Sequence, residues 1–331
     1  MEEEARAARG RGLDDIHVTF GVDATVTGHA LVLGLPLLHV VSERGLRALV
    51  AHALGGRARR FARRHGPEAD RHAARRAGRD VHVATLRRVH ALGPVFDSYW
   101  ANEVAPILAV GRRPPVGAGF AAFARAPAVE RAAAVHLERA LAGGLAERIA
   151  ALADLPAGDP DDSPAAAELL RDHAGLELAQ AIHVFGEDAA ALRPVGWEAV
   201  GAEVFLERAR RLVVAHGDLL ADATAGDLLG VVDRLGPVAG ELQRREPGLE
   251  VAHARDFAGA LIADGLLVAL HDSGWTVEAP PAEAVLCRRG EDRVSPHVVV
   301  DELRDGRLSG AGWLERAEAL GIEAIPLRVA T

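Results

Sequence analysis

Imidazole and carboxylate side chains are concentrated between residues 52 and 72, where their types could bind a metal ion. His52, His65, Glu68 and His72 all lie in this stretch. Glu68 and His72 are four residues apart, a spacing that places both on one face of a helix. Histidine nitrogen and carboxylate oxygen are common zinc ligands, and bound zinc can activate water for hydrolysis.

Two helices would have to position these side chains. Ser42 is a favourable N-cap, and apolar residues recur at helical spacing from residue 46 to residue 54. Gly55 and Gly56 predict the end of this helix, because glycine tolerates the left-handed conformation that follows many helices. Gly66-Pro67 predicts the start of a second helix that runs to about Ala77.

The chain between His52 and Glu68 restricts how the two could share a metal ion. An unbroken helix from His52 to Arg64 would separate its ends by about 18 Å at 1.5 Å per residue. Glu68 could not then bind the same ion as His52. The two side chains can meet only if the helix ends near Gly55 and Gly56 and the arginine-rich run after it turns back.

This stretch resembles the zinc helix H-E-x-x-H of the gluzincin metallopeptidases, which include the heat-shock membrane peptidase HtpX and the CAAX prenyl endopeptidases. In the resemblance, His52 matches the first zinc ligand and Glu68 matches the third. Ala53 occupies the position of the catalytic glutamate, which acts as the general base, and Gly56 occupies that of the second histidine. Asp70 has no ligand role in the pattern.

Other stretches are similar to soluble-tailed bacterial members of the same family. The similarity covers most of the chain, and the stretches that carry it are Leu33–Leu38, Pro94–Trp100, Arg112–Phe123, Leu145–Ala150 and Gly274–Pro326. It implies a mainly α fold with a small N-terminal β element, made of a gluzincin-like metallopeptidase core and a helical C-terminal domain.

The family function implied by the resemblance is zinc-dependent endopeptidase activity. Without a base at Ala53 or a ligand at Gly56, we expect a catalytically silent pseudopeptidase with no bound cofactor. Its cleft could instead bind a protein or peptide partner by strand addition near Leu33–Leu38. Zn²⁺ would be the cofactor only if the residual site is functional.

Two alternatives remain open from the residues. One is an active zinc endopeptidase with a relocated site that uses His52, Glu68 and either His65 or His72. The other is an interaction scaffold that depends on residues 165–331. The simplest roles outside metal binding are a hydrogen-bonded helix histidine for His52 and a first-turn acid that complements the helix dipole for Glu68.

Composition predicts the domain organisation. We expect a mobile leader at residues 1–13 and a degenerate metallopeptidase-like domain at 14–155. The proline-rich, acidic segment 156–164 predicts a linker, because such residues cannot build a core. Residues 165–331 then form the helical C-terminal domain, with a small β-hairpin near residues 275–290.

Charge and cysteine content exclude several classes of protein. The 331 residues carry a net charge of −9, which argues against a nucleic-acid binder. Cys287 is the single cysteine, so the chain has no internal disulfide, and we expect a buried, unreactive thiol. The acidic N-terminus does not resemble a signal peptide, and the apolar run Ala30–Val41 is too short to cross a bilayer. We therefore expect a cytoplasmic protein with no membrane span.

Overall fold

The computed structural model describes residues 15–27, 29–57, 66–220 and 222–327. The chain is 65% helical with a small N-terminal sheet of three strands, which confirms the predicted mainly α fold class. Two compact units divide between Pro194 and Val195. No helix among the described residues is long and apolar enough to cross a membrane.

The N-terminal sheet contains β1 (Asp15–Thr19), β2 (Ala24–Thr27) and β3 (Ala30–Gly34). β3 is the central strand, because it pairs with β1 in parallel and with β2 in antiparallel orientation. The predicted strand addition near Leu33–Leu38 is therefore wrong. Both edges of β3 are already paired, and Leu35–Leu38 forms a short helix, α1. An extended partner segment would have to pair with an outer strand.

Eight further helices follow in the described part of the first unit. They are α2 (Glu43–Arg57), α3 (Gly66–Ala77), α4 (Arg79–Tyr99), α5 (Ala105–Ala109), α6 (Val116–Phe123), α7 (Pro127–Ala140), α8 (Ala146–Ala150) and α9 (His173–Phe185). The two-residue strands β4 (Arg112–Arg113) and β5 (Arg193–Pro194) pair in parallel. The core includes Tyr99 and Phe120, which are fully buried, as expected for aromatic anchors.

Helix α2 includes Gly55 and Gly56 and is described as far as Arg57, one residue beyond the predicted end. The helix contains both glycines because α2 and α3 pack closely. A Cβ atom on Gly55 would lie 3.3 Å from Cα of Ala69 and 3.6 Å from Cδ2 of His72. Gly55 therefore lets the two helix backbones approach each other, and this contact outweighs the low helix propensity of glycine.

The segment expected to be a linker, residues 156–164, lies against the first unit. The amide of Asp80 donates to Ala157 O at 3.0 Å, and that of Glu43 donates to Pro164 O at 2.8 Å. The guanidinium of Arg44 also donates to Pro160 O at 2.7 Å. Backbone carbonyls thus attach the segment to α2 and α4, although its side chains form no core. The division between units accordingly lies further along the chain.

Helices α7 and α8 are separated by a kink at Gly143 and Gly144, where the backbone torsion angles are not helical. Gly144 has a φ of 109°, a conformation that favours glycine over residues with a Cβ atom. The kink changes the chain direction immediately before α8, which carries Arg148.

The second unit is also mainly helical. Its described helices are α10 (Trp197–Val200), α11 (Glu207–His216), α12 (Leu228–Val232), α13 (Leu235–Arg245), α14 (Val251–Asp272), α15 (Pro296–Arg304) and α16 (Gly310–Leu320). The hairpin predicted near residues 275–290 is part of an antiparallel sheet of three strands, β6 (Thr276–Glu278), β7 (Leu286–Arg289) and β8 (Asp292–Val294). Cys287 on β7 is fully buried, and burial raises the pKa of its thiol to about 12. The thiol is therefore unreactive at neutral pH, as expected.

We predict opposite effects of leucine at two helical glycines. Gly55→Leu should lower the free energy of unfolding by about 1–3 kcal/mol, because the new side chain would force α2 and α3 apart. Gly240 in α13 is exposed and has no atom within 4 Å of an added Cβ. Gly240→Leu should therefore raise the free energy of unfolding by up to about 1 kcal/mol through helix propensity. Urea unfolding measures both values, and equal effects would contradict the close contact at Gly55.

Candidate functional site

The carboxylate of Asp70 lies at the centre of a polar cluster in the first unit. Its side chain is 0% exposed. Arg148 donates two hydrogen bonds to it, from Nε to Oδ2 at 2.8 Å and from Nη2 to Oδ1 at 2.9 Å. His82 Nε2 lies 3.1 Å from Oδ1 and donates to it, whereas His52 Nδ1 lies 2.9 Å from the same oxygen but outside hydrogen-bond geometry. We call these four residues the Asp70 cluster.

Four helices bring the Asp70 cluster together. Asp70 lies on α3, His52 on α2, His82 on α4 and Arg148 on α8. Alanines on the buried face of α3, including Ala69, allow the close approach of neighbouring helices. Close approach removes water from Asp70, so its oxygens must find partners on the helices around it.

The cluster keeps Asp70 ionised. Burial on its own would raise the pKa of this carboxyl group, but the contacts with His52, His82 and Arg148 outweigh burial and hold the pKa well below its usual range. The hydrogen bonds to Asp70 in turn raise the pKa of Arg148. The pair is therefore a buried salt bridge with charge-assisted, bidentate hydrogen bonds.

His90 on α4 extends the cluster. Arg148 Nη1 lies 3.5 Å from His90 Nε2, which accepts from it. Burial and the adjacent charge of Arg148 lower the pKa of His90, and the charge of Asp70 only partly offsets this. His90 therefore remains neutral at pH 7 and serves as a hydrogen-bond acceptor for the guanidinium.

The residues predicted as metal ligands do not all come together. His52 belongs to the Asp70 cluster, but Glu68 is exposed on the first turn of α3 and His72 is partly buried beside Gly55. His65 lies outside the described residues. Ala53 follows His52 on α2 and supplies no acidic group.

Sequence reasoning missed Asp70, His82 and Arg148 as the partners of His52. Asp70 is separated from His82 by 12 positions and from Arg148 by 78 positions, so no local spacing connects them. One signal was available in α3. Asp70 interrupts a face of alanines at 69, 73 and 77, and an acid on an otherwise apolar helical face indicates a buried partner.

The Asp70 cluster does not fit a zinc ion in its present arrangement. Over the described ranges, only His52, Asp70 and His82 form a group whose ligand atoms lie within 4.8 Å of one another, as a shared metal requires. Tetrahedral zinc with ligands at 2.0–2.1 Å places the ligand atoms roughly 3.4 Å apart. Here both histidines approach a single oxygen of Asp70, and the guanidinium of Arg148 occupies both oxygens. A second cation would be repelled by that guanidinium.

Comparison with known proteins identifies no family: no protein-family model, curated protein or solved structure matches this chain. The likeness of residues 46–72 to a zinc-peptidase helix therefore remains a resemblance. The geometry of the Asp70 cluster is the independent observation on which a function can be argued.

We predict that Asp70→Asn destabilises the protein in a pH-dependent way. The folded-state pKa of Asp70 is depressed, so its ionised form contributes stability above the ordinary value of 3.8, and this contribution is lost as pH falls below it. The variant should lose about 3 kcal/mol of unfolding free energy at pH 7, because Arg148 is left partly buried without its counter-ion. The loss should shrink below pH 3.8, as measured by denaturant unfolding across a pH series.

Asp154→Asn is the matched control for this prediction. Asp154 forms a bidentate ion pair with Arg71, the residue that follows Asp70, but its side chain is 62% exposed. Solvent screens such surface pairs, so the control should lose far less stability than Asp70→Asn. A loss of similar size in both variants would argue that burial does not strengthen the Asp70 contact.

Proposed function

We propose that this protein is a catalytically silent relative of the zinc metalloendopeptidases that acts by binding a protein or peptide. One observation carries the catalytic part of the proposal. The guanidinium of Arg148 donates hydrogen bonds to both oxygens of the Asp70 carboxylate beside His52. It lies where a metal ion bound to these residues would need to be. The chain's own cation therefore takes the place of the cofactor.

The chemistry beside His52 supports the same conclusion. Zinc peptidases need three protein ligands, an open coordination position and a base that deprotonates the bound water. Ala53 cannot act as a base, and Gly56 cannot bind a metal. The Asp70 cluster holds helices α2, α3, α4 and α8 together, a structural role that requires no metal.

Binding of an extended segment is the partner mode that the fold supports. The outer strands β1 and β2 flank β3 within the described residues. Along β2, Thr25 and Thr27 are exposed, whereas Ala24 and Val26 are partly buried. A partner strand added to β2 would continue the hydrogen-bonding pattern of the sheet, and its side chains would alternate between the two faces.

A relocated zinc endopeptidase site is the second candidate. The proximity of His52, Asp70 and His82 favours it, since these three offer two nitrogens and one oxygen. Arg148 would have to leave Asp70 for this site to accept an ion. Glu68 and His72, which the sequence suggested as ligands, do not belong to this set.

Metal content and peptide hydrolysis distinguish the two candidates. Purified full-length protein should contain zinc well below one ion per chain by mass spectrometry and should not cleave a mixed peptide library. Stoichiometric zinc that is lost in both His52→Ala and His82→Ala, together with peptide cleavage, would refute the silent protein and establish the relocated site.

We also predict that Arg148→Ala gains metal affinity. Removing the guanidinium frees both oxygens of Asp70 while His52 and His82 stay in place, so Co²⁺ should bind and give a visible absorption spectrum. Arg71→Ala is the matched control, since it removes the neighbouring arginine that pairs with Asp154 at the surface. If the two variants bind Co²⁺ equally weakly, Arg148 is not what excludes the metal.

A further inference from the structure

A separate cavity of about 250 Å³ lies in the first unit beside the turn that follows α1. Its polar lining comes from His39, Ser42, Arg88 and Arg125, and its remaining walls are valine and alanine. Arg88 lies on α4, and Arg125 lies in the turn after α6. None of these residues belongs to the Asp70 cluster, so the cavity can be considered independently of the proposed function.

Two exposed arginines line this cavity, and the nearby acid that acts on Arg88 is Glu130. Within the part of the chain that the structure describes, neither Arg88 nor Arg125 forms an ion pair or a hydrogen bond. Burial lowers the pKa of Arg88, Glu130 partly offsets this, and the charge of Arg125 lowers it further. Two like charges at one cavity repel each other, and an anion between them would relieve that repulsion.

The other side chains that line the cavity are neutral at pH 7. Burial, followed by the charge of His173, lowers the pKa of His39 to about 4, so this ring is uncharged and available for hydrogen bonding. The hydroxyl of Ser42 donates to Asp161 and accepts from the amide of Gly45. The carboxylate of Asp161 does not line the cavity; it also accepts from Ser163, and the charge of Arg44 acts on it.

We propose that this cavity binds a phosphoryl group, held between Arg88 and Arg125. A phosphate monoester carries nearly two negative charges at pH 7 and can neutralise both guanidiniums, whereas a carboxylate carries one. The guanidinium fork also matches phosphate oxygens in a bidentate manner. The cavity is smaller than the 300–1,000 Å³ range typical of drug-sized ligands, so it accepts inorganic phosphate or the phosphate of a small metabolite.

Calorimetric titration of the full chain at constant ionic strength tests this site. Inorganic phosphate and glycerol phosphate are the probes, and acetate is the monoanion control. Saturable binding of either phosphate, tighter than that of acetate, is the expected result. Tighter binding of glycerol phosphate would identify a phosphorylated metabolite as the ligand, and tighter binding of inorganic phosphate would identify the free ion.

Charge-matched variants identify the residues responsible. Arg88→Gln and Arg125→Gln should each weaken phosphate binding about tenfold or more, since each removes a charge-assisted hydrogen-bonding group. Arg87→Gln is the control, because Arg87 is the adjacent residue on the same helix and is exposed like Arg88 but does not line the cavity. It changes the net charge equally and should leave the affinity unchanged.

Two results would overturn the proposal. One is the absence of saturable phosphate binding to a wild-type sample that melts cooperatively. The other is equal affinity in Arg88→Gln and Arg87→Gln, which would indicate attraction by net charge alone. Thermal melting of each variant shows whether it is folded, and the melting temperature of the wild type should rise with phosphate concentration in proportion to binding.

Discussion

A buried carboxylate needs hydrogen-bond donors or a positive charge to replace its lost hydration. In this protein the partners of Asp70 lie on the helices around it, and this requirement constrains how four helices pack. The cost of burying one ion is several kcal/mol after relaxation. Arg148 offsets that cost by contacting both oxygens, and His82 supplies a further donor. Each partner comes from a different helix, so displacing any of these helices would leave part of the charge uncompensated.

Three donors already engage the oxygens of Asp70, two from Arg148 and one from His82, and the positive charge of Arg148 disfavours a metal ion beside them. A zinc site needs its carboxylate and histidine lone pairs directed at one point, whereas Arg148 needs the oxygens of Asp70 directed at its own nitrogens. For the proposed silent protein, the contact between Arg148 and Asp70 is an argument from geometry, which Ala53 and Gly56, identified only by a resemblance, do not provide.

Local patterns predicted local structure well. Gly66-Pro67 marked the start of α3, and the hairpin predicted near residues 275–290 lies within the sheet of β6, β7 and β8. These features depend on a few neighbouring residues whose backbone preferences the sequence shows directly.

Long-range contacts account for the features that the sequence did not show. Gly55 looked like a helix end because its role in the contact with Ala69 is visible only after the chain folds. The composition of segment 156–164 predicts a linker. Its backbone carbonyl groups attach it to the first unit, and composition cannot show such contacts because every residue has a carbonyl group. Asp70 was passed over because the resemblance gave it no role and its partners are distant in sequence.

The kink at Gly144 helps to place Arg148, the positively charged member of the Asp70 cluster. Its positive φ redirects the chain just ahead of α8, and α8 carries the guanidinium that reaches Asp70. A residue with a Cβ atom at 144 would favour a straight continuation of α7 and withdraw that guanidinium. The metal exclusion that we propose would thus depend on the backbone at Gly143 and Gly144, and a change at a residue with no polar side chain would alter which cation the buried carboxylate accepts.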